Sequence, residues 1–191
     1  MGSATCGAVI ANTAGARLRL FYGSGARSGL TAGMLRLRDL EARNAQVHRI
    51  LAQNPGYRVG VVLADTHGGE PRGYGDGSEF GAASTAKILT PAAYYHLVET
   101  GEKSLDVPLG SYDAAFQVKA MVNASSNDAW LLLMQDIGYP RLIEYAASIG
   151  VSYDPEENLL TAAEMADVLK QLSAGKLLNA EHTQELLGYM Q

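Results

Sequence analysis

Residues 80–89 read Phe-Gly-Ala-Ala-Ser-Thr-Ala-Lys-Ile-Leu and join a glycine-rich turn to an apolar helix. Ser84 and Lys87 are three residues apart, a spacing that places them one turn apart on the same face of a helix. A serine in the first turn of a helix lies near free backbone N–H groups, which favour a nucleophile and the oxyanion that forms when it attacks a carbonyl. A capping serine followed by a solvated lysine fits the same pattern, so a second motif is needed to decide.

The second motif is Ser125-Ser126-Asn127, which lies between two helical patterns. Alone it fits a loop whose side chains cap the next helix. Ser-x-x-Lys followed by Ser-x-Asn is, however, a motif pair of β-lactamases and penicillin-binding proteins. The sequence therefore resembles the class A-like serine β-lactamase superfamily over roughly residues 57–191. The stretches similar to that family are Tyr57–Asp65, Phe80–Ala83, Glu99–Asp106, Leu160–Ala166 and Gly175–Leu178.

The resemblance implies a role for each of four residues. Ser84 is the acylated nucleophile, and Lys87 is its base or its hydrogen-bond organiser. Ser125 passes a proton to the leaving nitrogen, and Asn127 orients Lys87 and binds a substrate amide. These residue types suit the chemistry, because a serine hydroxyl is a poor nucleophile unless a neighbouring, partly desolvated amine takes its proton.

The sequence departs from the family in its third motif, Lys-Thr/Ser-Gly, which occurs nowhere in this chain. Residues 6–22 resemble the hairpin that follows that motif in the family, so we expect a rearranged or truncated arrangement with the hairpin at the N-terminus. Thr13-Ala14-Gly15 is the nearest substitute, although it lacks the lysine. The loss removes a carboxylate-binding cation and one oxyanion N–H of the family.

A second departure concerns the family's deacylating glutamate. Asp154-Pro155-Glu156-Glu157-Asn158 is loosely similar to the family's Glu-Pro-Glu-Leu-Asn, so either Asp154 or Glu156 could activate water. A solvated acidic turn is the alternative interpretation. Without such a base an acyl-enzyme persists or passes to another acceptor, so weak or absent β-lactam hydrolysis is expected.

Hydrophobic periodicity and turn residues predict a single α+β domain over residues 1–191, with four antiparallel strands packed against helices. Residues 1–30 form a hairpin and connector, residues 31–82 a helix with two central strands, and residues 83–191 a mainly helical region. The hairpin has arms at 7–11 and 17–22, and Gly23 begins the connector. The predicted central strands are 57–64 and 72–76. The first predicted helix, 31–53, has an apolar stripe of Met34, Leu37, Leu40, Val47, Ile50 and Leu51. The other predicted helices are 84–100, bent at Pro91, and then 112–122, 128–137, 140–148, 161–173 and 180–190.

Composition excludes several classes of function. The 191 residues are 47% hydrophobic and 18% charged, with a net charge of −5 and dispersed basic residues, which does not favour nucleic-acid binding. No apolar run approaches the roughly 18 to 20 residues of a membrane span. A single cysteine, Cys6, excludes an internal disulfide. No cofactor is expected, and the scattered histidines do not predict a metal site: His48, His67, His96 and His182.

The sequence thus predicts a serine acyl-transfer enzyme, a hydrolase or transpeptidase, that acts on a small-molecule or peptide amide, ester or β-lactam. The alternative is a non-catalytic binding or scaffold protein, or a fragment completed by another chain. A homo-oligomer or a strand-completing partner is possible at the open sheet edge. The resemblance implies an exported protein, although no signal peptide is recognised at Met1-Gly2-Ser3. Residues 94–95 and 130–133 are predicted to serve packing.

Overall fold

The computed structural model describes residues 3–12, 21–25, 30–65 and 70–191. The chain divides into two compact units. The first unit comprises Met1–Phe80 with Thr161–Ala166, and the second comprises Gly81–Leu160 with Asp167–Gln191. Among the described residues, no helix combines the length and the apolar character that a membrane crossing requires.

The first unit contains a four-stranded antiparallel sheet with the strand order β2-β1-β3-β4. Its register pairs Gly7 with Phe21, Ala8 with Val62, and Val62 with Gly73. One long helix, α1, lies between the second and third strands in the chain. The predicted α+β class is confirmed. The elements are β1 (Ser3–Asn12), β2 (Phe21–Gly25), α1 (Leu30–Gln53), β3 (Arg58–Asp65) and β4 (Arg72–Gly75).

The second arm of the N-terminal hairpin extends beyond its predicted end. The sequence placed this arm at residues 17–22 and began the connector at Gly23. Residues 17–20 lie outside the described part of the chain, and from Phe21 the strand continues to Gly25, paired with Ser3–Gly7. Gly23, Ser24 and Gly25 can belong to a strand because a ladder of backbone hydrogen bonds needs no side chain. The proposed substitute for the third motif, Thr13-Ala14-Gly15, lies outside the described residues, as do residues 26–29.

Helix α1 ends where the sequence predicted. The Asn54 side chain donates from Nδ2 to the carbonyl of Ile50 at 2.8 Å, and its backbone N–H donates to Leu51 O at 3.1 Å. These bonds satisfy carbonyls that the end of a helix leaves free. The predicted apolar stripe is wrong in part, since Ile50 is 48% exposed. Its members at 34, 37 and 40 lie where side chains are not described.

Strands β3 and β4 approach each other so closely that Gly60 and Gly75 are required. A Cβ on Gly60 would lie 2.4 Å from Asp76 O, and one on Gly75, whose φ is +72°, would lie 2.1 Å from Val59 O. Arg58 then secures the following turn, with Nε 3.3 Å from Asp76 Oδ2 and its guanidinium 4.1 Å from the Phe80 ring centroid.

The second unit is mainly helical. The predicted helices at 112–122, 128–137, 140–148 and 180–190 are confirmed within one or two residues at most ends. Two-residue strands were not predicted, because so short a segment carries no periodicity. The elements that follow β4 are β5 (Phe80–Gly81), a 3₁₀-helix (Ala83–Ile88), α2 (Leu89–Glu99), β6 (Pro108–Leu109), β7 (Tyr112–Asp113), α3 (Ala114–Ala124), α4 (Asn127–Ile137), α5 (Tyr139–Ser148), β8 (Leu159–Leu160), α6 (Ala162–Ser173) and α7 (Ala180–Tyr189).

Helix α2 lies at the centre of the second unit and packs against α4, α5 and α7. Its side chains from Leu89 to Tyr95 are almost completely buried, including Tyr94 and Tyr95 as predicted. Burial of large apolar side chains contributes about 1.5–3 kcal/mol each, so this helix is a main source of the unit's stability. Other fully buried side chains of the unit include Val118, Met121, Leu133, Leu142, Leu160, Val168, Leu172 and Leu186.

Candidate active site

Ser84 lies in a 3₁₀-helix rather than in the predicted α-helix. Pro91 has no N–H, so the carbonyl of Lys87 lacks the donor that a continuous α-helix would supply, and the α-helical segment begins only at Leu89. Pro91 instead lies in the first turn of α2, where its missing donor costs nothing. In a 3₁₀-helix residues i and i+3 eclipse each other, so the backbone positions of Ser84 and Lys87 align along the helix axis.

The two residues differ sharply in exposure. Ser84 is exposed, whereas the Lys87 side chain is only 3% exposed. Ala83, the residue before Ser84, has a φ of 48°, a left-handed conformation that costs an alanine about 1–2 kcal/mol. The nucleophile candidate is therefore presented to solvent by a strained residue, and the lysine lies in the interior.

Lys87 is held by the second motif. Its Nζ donates to Ser125 O at 2.6 Å, to Asn127 Oδ1 at 2.6 Å and to Ser125 Oγ at 3.2 Å. An ammonium group has three N–H donors, so these contacts use all of them. Because burial desolvates the amine, the pKa of Lys87 is lowered from its ordinary value, which makes the neutral form more accessible.

The junction between α3 and α4 explains how the second motif reaches the lysine. Ser125 ends α3 in a left-handed conformation with φ 53°, and its N–H donates to Ala120 O. Ser126 then caps α4, with Oγ accepting from Ala129 N at 3.2 Å. Asn127 is the first residue of α4. This sharp reversal lets both the carbonyl and the hydroxyl of Ser125 face Lys87.

Of the four predicted site residues, the structure joins Lys87, Ser125 and Asn127 by direct contacts. The Ser84 hydroxyl makes no side-chain hydrogen bond within the described residues. The chemical roles of all four residues stay predictions.

The acidic loop is attached to the segment that carries Ser84, a relationship that the sequence did not indicate. Ala82 N donates to Asn158 O at 2.8 Å, and Asn158 Nδ2 donates to Ala83 O at 3.4 Å. Asp154 accepts the N–H of Glu156 at 2.8 Å, so part of its carboxylate closes its own turn. Asp154 and Glu156 are both exposed.

Trp130 is a further side chain at the site. Its ring centroid lies 5.3 Å from Lys87 Nζ, and its Nε1 donates to Thr90 Oγ1 at 2.9 Å. The sequence had assigned this tryptophan to packing. Trp130 is three residues after Asn127 and so lies on the same face of the helix, and this spacing could have placed it at the site from the sequence. The neighbouring Leu131 is 53% exposed, contrary to a packing role.

His96 and His182 make no described contact with this site. His182 Nδ1 lies 2.7 Å from Glu99 Oε1 and the His182 ring stacks on Tyr95 at 4.5 Å, whereas His96 is exposed. In the part of the chain that the structure describes, no three His, Cys, Asp or Glu side chains form a group that could hold a metal. His67 lies outside that part.

Comparison with known proteins supports the resemblance that the two motifs indicate. A sequence model of the β-lactamase enzyme family matches residues 42–119. No curated protein matches the sequence.

Several solved structures share the fold. An ancestral class A β-lactamase is 25% identical with a TM-score of 0.67, and the alignment covers 76% of this chain and 69% of that one. A class A β-lactamase of the last common ancestor of Gram-negative bacteria is 26% identical, with a TM-score of 0.61 and coverage of 68% and 63%. A β-lactamase from Xanthomonas campestris pv. campestris is 25% identical, with a TM-score of 0.62 and coverage of 69% and 62%. This chain thus spans about two thirds of the length of these structures.

Proposed function

The chain is β-lactamase-like in fold and in sequence, and from this premise we propose that it is an acyl-transfer enzyme whose nucleophile is Ser84. Its substrates are amides, esters or β-lactams. One observation supports the proposal above all others. Lys87, an amine with a lowered pKa, is fixed between Ser125 and Asn127 at one 3₁₀ turn from the exposed Ser84 hydroxyl.

Acylation begins when Ser84 Oγ forms a bond with the substrate carbonyl carbon. The hydroxyl proton passes to the neutral amine of Lys87, and the carbonyl oxygen takes the negative charge. The tetrahedral intermediate then collapses and breaks the bond to the leaving nitrogen or oxygen. That atom takes a proton from the Ser125 hydroxyl, which is restored by the Lys87 ammonium across the 3.2 Å contact.

The acyl-enzyme is released by water in a hydrolase or by another nucleophile in a transferase. Efficient hydrolysis requires a base that activates water. Asp154 uses Oδ1 to close the turn at Glu156, and both carboxylates are exposed to solvent, so neither encloses a water molecule against an acyl group on Ser84. We therefore expect a long-lived acyl-enzyme and weak β-lactam hydrolysis.

A fluorescent penicillin tests the proposal. Wild-type protein and Ser84→Ala are incubated with the probe and then analysed by gel fluorescence, intact mass and peptide mapping. The expected result is one adduct on Ser84 in the wild type and none in the variant. A fluorophosphonate run in parallel detects a reactive serine that does not accept β-lactams. A folded wild type that forms no adduct with either probe contradicts the proposal.

The second candidate is a non-catalytic binding or scaffold protein of the same fold, or a fragment completed by another chain. Two observations favour it: the Ser84 hydroxyl makes no hydrogen bond to Lys87 within the described residues, and Lys-Thr/Ser-Gly is missing from the sequence. Saturable binding of a penicillin without an adduct identifies the binding protein. Molecular mass in solution by light scattering identifies an oligomer.

A further inference from the structure

Trp130 connects the helix of the first motif to the helix of the second. Its indole Nε1 donates to Thr90 Oγ1 at 2.9 Å, and its ring centroid lies 5.3 Å from Lys87 Nζ. Thr90 is 1% exposed and Lys87 is 3% exposed, so both contacts are made to buried groups. An indole has one donor and no acceptor, so Thr90 fixes the direction of the ring.

The contacts form two parallel connections. Lys87 and Thr90 are three residues apart on one continuous helical segment, and Asn127 and Trp130 are three residues apart on α4. Lys87 contacts Asn127 at 2.6 Å, and Thr90 contacts Trp130 at 2.9 Å. The hydrogen bond between Thr90 and Trp130 therefore sets how α4 is aligned along the Ser84 helix, and this alignment lets Asn127 reach Lys87.

We propose that Trp130, anchored by Thr90, is a positioning residue that holds the Lys87 ammonium against Asn127 and Ser125. Its ring presents a negative face to the ammonium, an attraction that is strong when the cation is desolvated. The catalytic consequence of this placement rests on the proposed function, whereas the placement itself does not.

No other group described in contact with the Lys87 ammonium carries a negative charge that could stabilise it. The contacts of Nζ are to a carbonyl, a hydroxyl and an amide oxygen, none of which carries a charge. Burial favours the neutral amine and is the cause of the lowered pKa. On the neighbouring helices, Asp136 pairs with Lys103 and Glu99 with His182. The remaining titratable groups of those helices are Tyr94, Tyr95 and His96 on α2, Lys119 on α3 and the exposed Asp128 on α4.

The placement is tested by NMR on protein labelled with ¹³C at lysine Cε. The Lys87 signal is assigned by its loss in Lys87→Arg. A signal above an indole face is shifted upfield by the ring current, and we expect that shift in the wild type. We expect it to vanish in Trp130→Leu, to persist in reduced form in Trp130→Phe, to weaken in Thr90→Val, and to be retained in Thr90→Ser. The exposed aromatic of α3, Phe116→Leu, serves as the control.

Titration of the same signal separates positioning from packing. Because the ring stabilises the charged form, the midpoint for Lys87 falls by about 0.5–1 pH unit in Trp130→Leu and less in Trp130→Phe. A packing role lowers the melting temperature but leaves the titration midpoint of Lys87 in place. An unchanged Lys87 signal in folded Trp130→Leu overturns the proposal. If Trp130→Leu does not fold, Thr90→Val and Trp130→Phe decide it by the same readouts.

Acylation by the fluorescent penicillin is then compared in the same variants. We expect the acidic limb of the pH–rate profile to move with the NMR midpoint. A wild type that lacks the Ser84 adduct contradicts the proposed function, and the NMR results still decide whether Trp130 positions Lys87.

Discussion

The carbonyl oxygen of Asn158 accepts the backbone N–H of Ala82 at 2.8 Å. The same asparagine donates its amide to Ala83 O at 3.4 Å and accepts the Tyr153 hydroxyl at 3.1 Å. The loop at 151–158 is thereby attached to the two residues that precede Ser84. Both partners, Asn158 and Ala83, have left-handed backbones, with φ 51° and 48°. The direction of the nucleophile candidate thus depends on a loop far away in sequence.

Substitution of Asn158 separates the side chain from the backbone strain. Asn158→Gly keeps the left-handed conformation but removes the contacts with Ala83 O and with the buried Tyr153 hydroxyl. We expect it to lose about 1 kcal/mol of stability and to be labelled by penicillin about 5-fold more slowly. Asn158→Ala loses the same contacts and adds about 1 kcal/mol of strain, so it should melt at a lower temperature than Asn158→Gly. Labelling rates and thermal melts measure both. Equal melting temperatures for the two variants contradict the strain argument.

Asn127→Ala removes one of the three acceptors of the buried ammonium. A hydrogen bond to a charged group contributes about 1.5–3 kcal/mol, so labelling of Ser84 should slow by roughly 10- to 100-fold. The control is Asn123→Ala at the end of α3, whose amide makes only a 3.4 Å contact with Tyr189 O. Second-order labelling rates are the measurement. Equal losses in the two variants would mean that Asn127 has no special relation to the reaction.

Gly60→Ala should destabilise the sheet, because its Cβ would lie 2.4 Å from Asp76 O and 3.0 Å from the Phe80 ring. Overpacking of this kind costs about 1–3 kcal/mol, and a backbone oxygen cannot move aside as a side chain does. Gly73→Ala is the matched control on β4, since its Cβ meets nothing within 4 Å. Urea unfolding measures the difference. A loss in Gly73→Ala as large as that in Gly60→Ala would refute the close approach.

Stability should decline in alkaline solution. Burial raises the pKa of Tyr153 to about 12, whereas its phenol ionises near 10 in the unfolded chain. The unfolded state therefore loses this proton first, so stability present below pH 10 is lost as the pH rises toward 12. Ionisation of Tyr153 alone lowers the free energy of unfolding by about 3 kcal/mol at most.

Burial also raises the pKa of Tyr94, Tyr95 and Tyr145, which adds to the alkaline loss. The free energy of unfolding in urea, measured against pH, is followed together with tyrosinate absorbance. Tyr153→Phe should reduce the loss, and the exposed Tyr112→Phe should not. Ionisation of Tyr153 near pH 10 in the folded protein is the opposing result.

Local chemistry accounts for the parts of the fold that the sequence predicted well. Asn54-Pro55-Gly56 ends α1, and Gly138, Gly150 and Gly175 separate helices where left-handed residues are needed. The prediction failed where local signals were weak. The end of strand β2 was placed too early because Gly23-Ser24-Gly25 reads as a linker, and β6 and β7 are too short for any pattern.

The candidate site was less accessible to sequence reasoning. Helical spacing relates Ser84 to Lys87, but the contact of Lys87 with Asn127 joins residues forty positions apart and was implied only by a family resemblance. The attachment of Asn158 to Ala82 and the contact of Trp130 with Thr90 depend on packing between elements, which residue spacing does not encode.

The 3₁₀-helix of Ser84 and Lys87 continues directly into α2, the most deeply buried helix of its unit. Backbone amides in such a helix exchange with deuterium only when the surrounding structure opens. Slow exchange across residues 89–99 would show that the helix supporting the candidate site is among the last parts of the protein to open. Partial opening elsewhere would then leave the lysine in its place.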